Sequence, residues 1–196
     1  MRILHVDERL IVIDKPAGLL SVPGRTEPDC ASLRVQSLYP DALVVHRLDQ
    51  ATSGLLLFAR GPEVQRELNV EFAERRVRKA YVAVVAGRLE GDGLIDLPLG
   101  ADWPNRPRQQ VDLEGGKPSQ TRWQALAHAG PHTRVRLEPL TGRTHQLRVH
   151  LAALGHAILG DTLYAAPDIA RASPRLLLHA SELQFGSHHF ICPAEF

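Results

Sequence analysis

Apolar residues fall in short clusters along the chain, and the spacing inside each cluster predicts the local element. Ile3 to Val6 and Leu10 to Asp14 are β-rich runs on either side of Asp7-Glu8-Arg9, which predicts paired strands. Asp29 to Leu38 reads as a short helix, and Leu43 to Arg47 as a strand. Over Pro62 to Glu74, Val64, Leu68 and Phe72 recur every four residues, predicting a helix with one buried stripe; Pro62 suits the first turn, where a missing N–H costs little. Lys79 to Ala86 returns as a strand. Residues 91–120 are rich in Gly, Pro and Asp with two short apolar pieces, which predicts an irregular excursion.

Thr121 to Ala127 and Thr133 to Glu138 follow as strands; in the second, Val135 and Leu137 alternate with Arg134, Arg136 and Glu138, the pattern of a half-buried strand. A helix is expected from Thr144 to Leu154, with Leu147, Leu151 and Leu154 on one face and Gly155 ending it. Leu176 to His179 and Phe190 to Cys192 close the sheet. Strands and helices do not alternate regularly, so the expected class is α+β with mostly antiparallel pairing.

One polar cluster interrupts two apolar runs. His46-Arg47-Leu48-Asp49-Gln50-Ala51-Thr52-Ser53-Gly54 lies between Leu43-Val44-Val45 and Leu55 to Ala59. Hydroxyls and a glycine favour tight reversals, so Thr52-Ser53-Gly54 reads as a turn and Asp49 as a loop residue between buried strands. A carboxylate there either caps the turn or does chemistry.

Composition narrows the class. At 196 residues the chain is one domain, or one domain with two lobes. Aromatic residues are 5%, so the core must be built from Leu, Val, Ala and Ile. A net charge of +1 neither supports nor excludes a nucleic-acid partner. Lys15, Lys79 and Lys117 are the only lysines; every other basic residue is Arg, which fits a GC-rich coding bias and equally fits phosphate recognition by guanidinium forks. Cys30 and Cys192 make neither a disulfide framework nor a zinc site. The N-terminus lacks the apolar run of a signal peptide, and no stretch nears the ~18 apolar residues of a membrane span, so a cytoplasmic protein is expected.

The string HRLDQATSGLLLFA resembles the catalytic motif of the RluA family of pseudouridine synthases. Three further segments carry the same resemblance: Ile11 to Gly24, Arg78 to Val85, and Leu140 to His150 with Gly160 to Tyr164 and Leu176 to Ala180. The first reads as structural, a strand running into a turn. The family often has Gly after the final Tyr, where this chain has Ala165. Asp102 to Pro107 and Gly116 to Pro118 resemble the short, dual-specificity members.

The resemblance implies a pseudouridine synthase fold, a largely antiparallel mixed sheet in two lobes with a central cleft flanked by helices and loops. Residues 1–196 would form a single catalytic domain, with no room for a separate N-terminal RNA-binding domain. It further implies RNA as substrate, a uridine in the tRNA anticodon loop and one in large-subunit rRNA. Isomerising uridine to pseudouridine needs no cofactor and no metal, and a monomeric enzyme is expected.

Roles for single residues follow from the same resemblance. Asp49 is the nucleophile, with base and ribose both open as its target; carboxylates form covalent intermediates. Arg143 holds Asp49 ionised, since a neighbouring guanidinium lowers a carboxyl pKa by roughly 1–3 units; its plain alternative is an exposed residue before a helix. Tyr81 stacks on the target base and assists proton transfer, where pattern alone makes it core. Leu147 packs under the uracil or within the core. Arg47 fills the space left by an extruded base. His46 supports this loop or is a satisfied core histidine.

Arg75, Arg76, Arg78 and Lys79 lie past a helix whose own cations have Glu63, Glu67, Glu71 and Glu74 as partners, so they are candidate phosphate contacts. Arg106, Arg108 and Lys117 in the excursion form a second group. A non-catalytic RNA-binding protein on the same fold would not need Asp49, Tyr81 and Arg143 together. A metal-free hydrolase using Asp49 and His46 is a further competitor. His145 and His150 are five apart, off the i, i+4 spacing of helical zinc ligands.

Overall fold

The computed structural model describes residues 1–196. In chain order the elements are β1 (Arg2–Val6), β2 (Leu10–Lys15), α1 (Ala31–Gln36), β3 (Ala42–Val44), β4 (Ser53–Arg60), α2 (Gly61–Ala73) and β5 (Arg78–Ala86). They continue with β6 (Asp92–Asp96), β7 (Leu99–Ala101), a 3-10 turn at Trp103–Asn105, β8 (Gln109–Val111), β9 (Gln120–Ala129) and β10 (His132–Pro139). The last are α3 (Gln146–Ala153), α4 (Pro167–Arg171), β11 (Leu178–Phe185) and β12 (His188–Ile191). The chain forms two compact units, Met1–Lys79 with His179–Glu195, and Ala80–Leu178 with Phe196. No helix is long and apolar enough to cross a membrane.

In the first unit β4 is the central strand. Its run Leu55 to Ala59 is fully enclosed, as is Leu10 to Ile13 of β2, and such unbroken apolar runs belong to strands covered on both faces. β2 pairs antiparallel along one edge of β4, from Leu10 opposite Ala59 to Lys15 opposite Gly54. The other edge is shared. β3 pairs antiparallel with Phe58 to Arg60, and β11 pairs parallel with Ser53 and Gly54. β1 and β12 pair outward on β2 and β11. The β1–β2 turn is set by Asp7, whose Oδ1 accepts the N–H groups of Arg9 and Leu10, each at 2.7 Å. On α2 the expected stripe is present, with Val64 and Leu68 buried and Phe72 half-buried.

In the second unit β5, β10, β9 and β6 lie side by side, all antiparallel. Val135 and Leu137 are fully buried and their alternating neighbours are not, as the pattern requires. Leu147 and Leu151 anchor α3, while Leu154 is exposed past its last turn.

Three expectations are corrected. Residues 91–120 are only partly irregular. They hold β6, paired in register with β9, and the β7–β8 ribbon. Ile95 is the one buried side chain of β6, and Gly93 sits under the Trp123 ring, so an edge strand this sparse carries no readable period.

The reversal after Asp49 comes earlier than Thr52-Ser53-Gly54. The Thr52 N–H donates to the Asp49 carbonyl at 3.1 Å, and Ser53 and Gly54 already belong to β4. Gly54 serves close strand approach instead. With φ at 110° a Cβ there would lie 2.3 Å from the Ala180 carbonyl oxygen on β11.

Finally, β3 stops at Val44 rather than Arg47. The next backbone donor along that edge of β4, the Leu57 N–H, is taken at 3.0 Å by Nε2 of His46, so a side chain ends the ladder.

Candidate active site

Asp49 is half-buried in the loop joining β3 to β4, and both its neighbours are fixed. On the N-terminal side, Ser21 Oγ donates to the Leu48 carbonyl (2.7 Å) and accepts the Leu48 N–H (3.0 Å), imitating a strand partner. On the C-terminal side, the Gln50 carbonyl accepts from the Gly18 N–H (2.8 Å) and from Lys15 Nζ (3.2 Å), while Gln50 Nε2 donates to the Gly18 carbonyl (3.1 Å). Gly18 needs its glycine: φ is +87°. The segment Lys15 to Ser21, read from sequence as a plain strand and turn, is thus the clamp of the Asp49 loop.

Lys15 is fully buried. Its ammonium donates to three carbonyls, those of Leu19 (2.7 Å), Pro16 (2.9 Å) and Gln50. Burial pushes its pKa down to about 8, and the negative charge of Asp49 partly offsets this. One sequence signal could have found it: a lysine terminating a run of buried strand residues needs internal partners.

His46 stacks on Phe72, with ring centroids 4.9 Å apart at 25°. Burial, followed by the nearby Lys79 ammonium, lowers its pKa to about 3. The ring is therefore neutral, in agreement with Nε2 accepting the Leu57 N–H. These contacts are to β4 and α2, those of a histidine satisfied within the fold. A neutral, committed imidazole is poorly suited to proton transfer in a hydrolase.

Arg47, between half-buried His46 and buried Leu48, is exposed. Arg75 and Arg78 are exposed too. Arg76 is not the partnerless cation expected, because it bridges Glu71 at 2.7 Å and also Glu74, reaching back over the end of α2. Lys79 lies over the Phe72 ring at 5.8 Å with its pKa lowered by burial, which leaves it less available to phosphate than a surface lysine.

The remaining candidates belong to the second unit. Tyr81 is half-buried on β5, opposite Leu137 of β10. Arg143 is exposed in the turn before α3, and its Nε donates to the Pro118 carbonyl at 3.3 Å. That turn is built by Gln146, whose Oε1 accepts the Arg143 N–H (3.0 Å) and the Thr141 hydroxyl (2.7 Å) while Nε2 donates to the Gln120 carbonyl (2.9 Å). His145 takes φ of 55° at the helix entrance, a left-handed backbone that a non-glycine residue adopts only when its surroundings enforce it. Its Nδ1 bonds the Tyr164 hydroxyl at 2.6 Å. Leu147 is buried. Arg148 forms a buried bidentate pair with Asp161 at 2.8 and 2.7 Å, fixing α3 to the Gly160–Tyr164 turn. Gln146, His145 and the Arg148–Asp161 pair had no sequence signal beyond the motif that contains them.

Asp14, His179 and Cys192 offer possible ligand atoms within 4.8 Å of one another. Their bonding favours another use. His179 Nε2 donates to the Cys192 carbonyl (3.0 Å), and Nδ1 meets the Ser53 hydroxyl (2.9 Å). Burial and the adjacent Asp14 push the Cys192 thiol up, away from the thiolate a metal needs.

A family model described as RNA pseudouridylate synthase matches residues 9–153. The chain belongs to the RNA pseudouridine synthase family. As a member it is an isomerase that converts uridine to pseudouridine in RNA. It is 50% identical to the dual-specificity RNA pseudouridine synthase RluA of Escherichia coli (strain K12), covering 99% of this chain and 93% of that protein. The protein of the same name from Yersinia pestis is also 50% identical, over the full length of both. Among solved synthase structures, human RNA pseudouridylate synthase domain containing 1 matches with a TM-score of 0.88 at 29% identity, over 100% of this chain and 84% of the human one. Its domain containing 4 counterpart gives 0.79 at 25% identity, over 98% and 88%.

Proposed function

We propose that this synthase modifies both tRNA and large-subunit rRNA, with Asp49 as its nucleophile. The observation carrying the substrate reading is near-complete, 50% identical coverage of synthases named for dual specificity.

The reaction is an isomerisation. The C1′–N1 bond of uridine breaks, the detached uracil turns, a C1′–C5 bond forms, the C5 proton leaves and N1 gains one. Atoms and electrons balance with no redox partner. The Asp49 carboxylate forms the transient covalent bond, to ribose or base, and its fixed flanking peptides hold it near attack geometry. Lys15 holds the Asp49 loop from inside the fold, and Arg143 is the cation assigned to pair with the carboxylate. Tyr81 carries the uracil against its ring and relays a proton. Arg47 fills the stack vacated by the extruded nucleotide, offsetting part of an unstacking cost of a few kcal/mol. The enzyme acts as a monomer in the cytoplasm.

The test is incubation of the purified protein with unmodified tRNA and large-subunit rRNA transcripts, followed by pseudouridine mapping and assay of free uracil. Pseudouridine in both RNAs without uracil release is expected. Modification of one RNA alone would remove the dual-substrate reading, and released uracil would mark a hydrolase.

A further inference from the structure

The β7–β8 ribbon carries an arrangement to which the reaction assigns no role. Trp103 is 68% exposed at its tip. The guanidinium of Arg106 lies over its ring, with Cζ 3.7 Å from the centroid, close enough for flat stacking.

The tip is rigid. The Asp102 N–H donates to the Arg108 carbonyl at 3.0 Å, and the Arg108 N–H to the Asn105 carbonyl at 3.0 Å. Asn105 Nδ2 reaches both oxygens of the Asp102 carboxylate at 3.0 Å. The ribbon is also tied to the entrance of α3, because the Tyr164 hydroxyl that bonds His145 also accepts the Gln109 N–H at 2.8 Å. Arg108 extends over the Tyr164 ring at 5.5 Å.

The surface is biased toward anions. Arg106, Arg108 and Lys117 are exposed cations, while two of the nearby acids are turned to internal donors: Asp102 to Asn105, and Asp112 to the N–H groups of Glu114 and Gly115. Glu114 opposes them.

We propose that Trp103, braced by Arg106, is a stacking platform for an unpaired nucleotide of the RNA, outside the reacting uridine, with Arg108 and Lys117 on the flanking phosphates. The ligand class follows from the pairing of chemistries: an open indole face takes any base, and guanidinium groups take phosphate. This rests on the reading of the chain as an RNA-modifying enzyme.

The probe is a tRNA anticodon stem-loop oligonucleotide, compared with the same sequence closed into a full duplex. In a Trp123→Phe background Trp103 is the sole tryptophan. Its fluorescence is expected to be quenched by the stem-loop and not by the duplex. Trp103→Ala should weaken stem-loop binding by about tenfold with an unchanged salt slope, and Trp103→Phe should retain most of the affinity. Arg108→Gln should instead lower that slope by about 0.7. Leu113→Ala, at a side chain even more exposed than Trp103, should change nothing. Wild-type affinity in Trp103→Ala, or an equal loss in Leu113→Ala, would overturn the platform. Failure of the unsubstituted protein to bind or modify any stem-loop would instead overturn the RNA reading beneath it.

Discussion

Lys15 Nζ lies 3.2 Å from the carbonyl oxygen of Gln50, the residue directly after Asp49. A fully buried ammonium is thus committed to the backbone of the Asp49 loop. The cost shows in its pKa of about 8. The unfolded chain keeps this proton to 10.5 and the folded chain only to about 8, so between these values the unfolded state binds more protons and stability rises with pH. The rise is on the order of 3 kcal/mol. Denaturant melts at pH 7.5 and 10 should show it, and Lys15→Met should lack it. The same variant should lose roughly a hundredfold in turnover through displacement of Asp49, with RNA affinity intact because Lys15 cannot touch RNA.

His46 makes a second pH prediction of the same sign in a different window. Its folded pKa is about 3 against 6.5 unfolded, so stability present at pH 7 is lost as pH falls below 6.5. By pH 5 the loss is about 2 kcal/mol. His150, also lowered by burial, adds to it. Urea melts at pH 7 and pH 5 should therefore converge, but not coincide, in His46→Gln.

Arg75 occupies the left-handed position after α2, with φ of 59° and its N–H on the Phe72 carbonyl (3.2 Å). Glycine is the usual residue there. Arg75→Gly should raise stability by about 0.5–1 kcal/mol. If the side chain binds phosphate, the same variant should also bind RNA more weakly and lower the salt slope. A gain in stability with unaltered RNA affinity would leave Arg75 without a role in binding.

Arg47→Ala should reduce modification more on a folded stem-loop than on an unstructured oligomer, because only the former must refill a stack. Equal losses on both would remove the wedge.

Much of the fold was legible because unbroken apolar runs and four-residue periods are local signals: β2, β4, α2 and the β9–β10 hairpin follow from them directly. The failures have one cause. β6 pairs through an edge with a single buried side chain, Gly54 answers to a strand 126 residues away, as the separation of neighbouring Ser53 from His179 illustrates, and β3 ends because an imidazole replaces a carbonyl. None of these is encoded within a window of neighbours. The chemistry was legible only as a motif. Asp49 stood out as a carboxylate between buried strands, whereas Lys15, Ser21 and Gln146 act through backbone groups brought close by folding.

The central claim, that Asp49 is the nucleophile, is tested most directly by Asp49→Asn, which keeps the size and the loop while removing the carboxylate. Single-turnover assay on a tRNA transcript should give no detectable pseudouridine while the variant still binds that RNA with wild-type affinity and melts normally. A normal yield of pseudouridine would contradict the account outright.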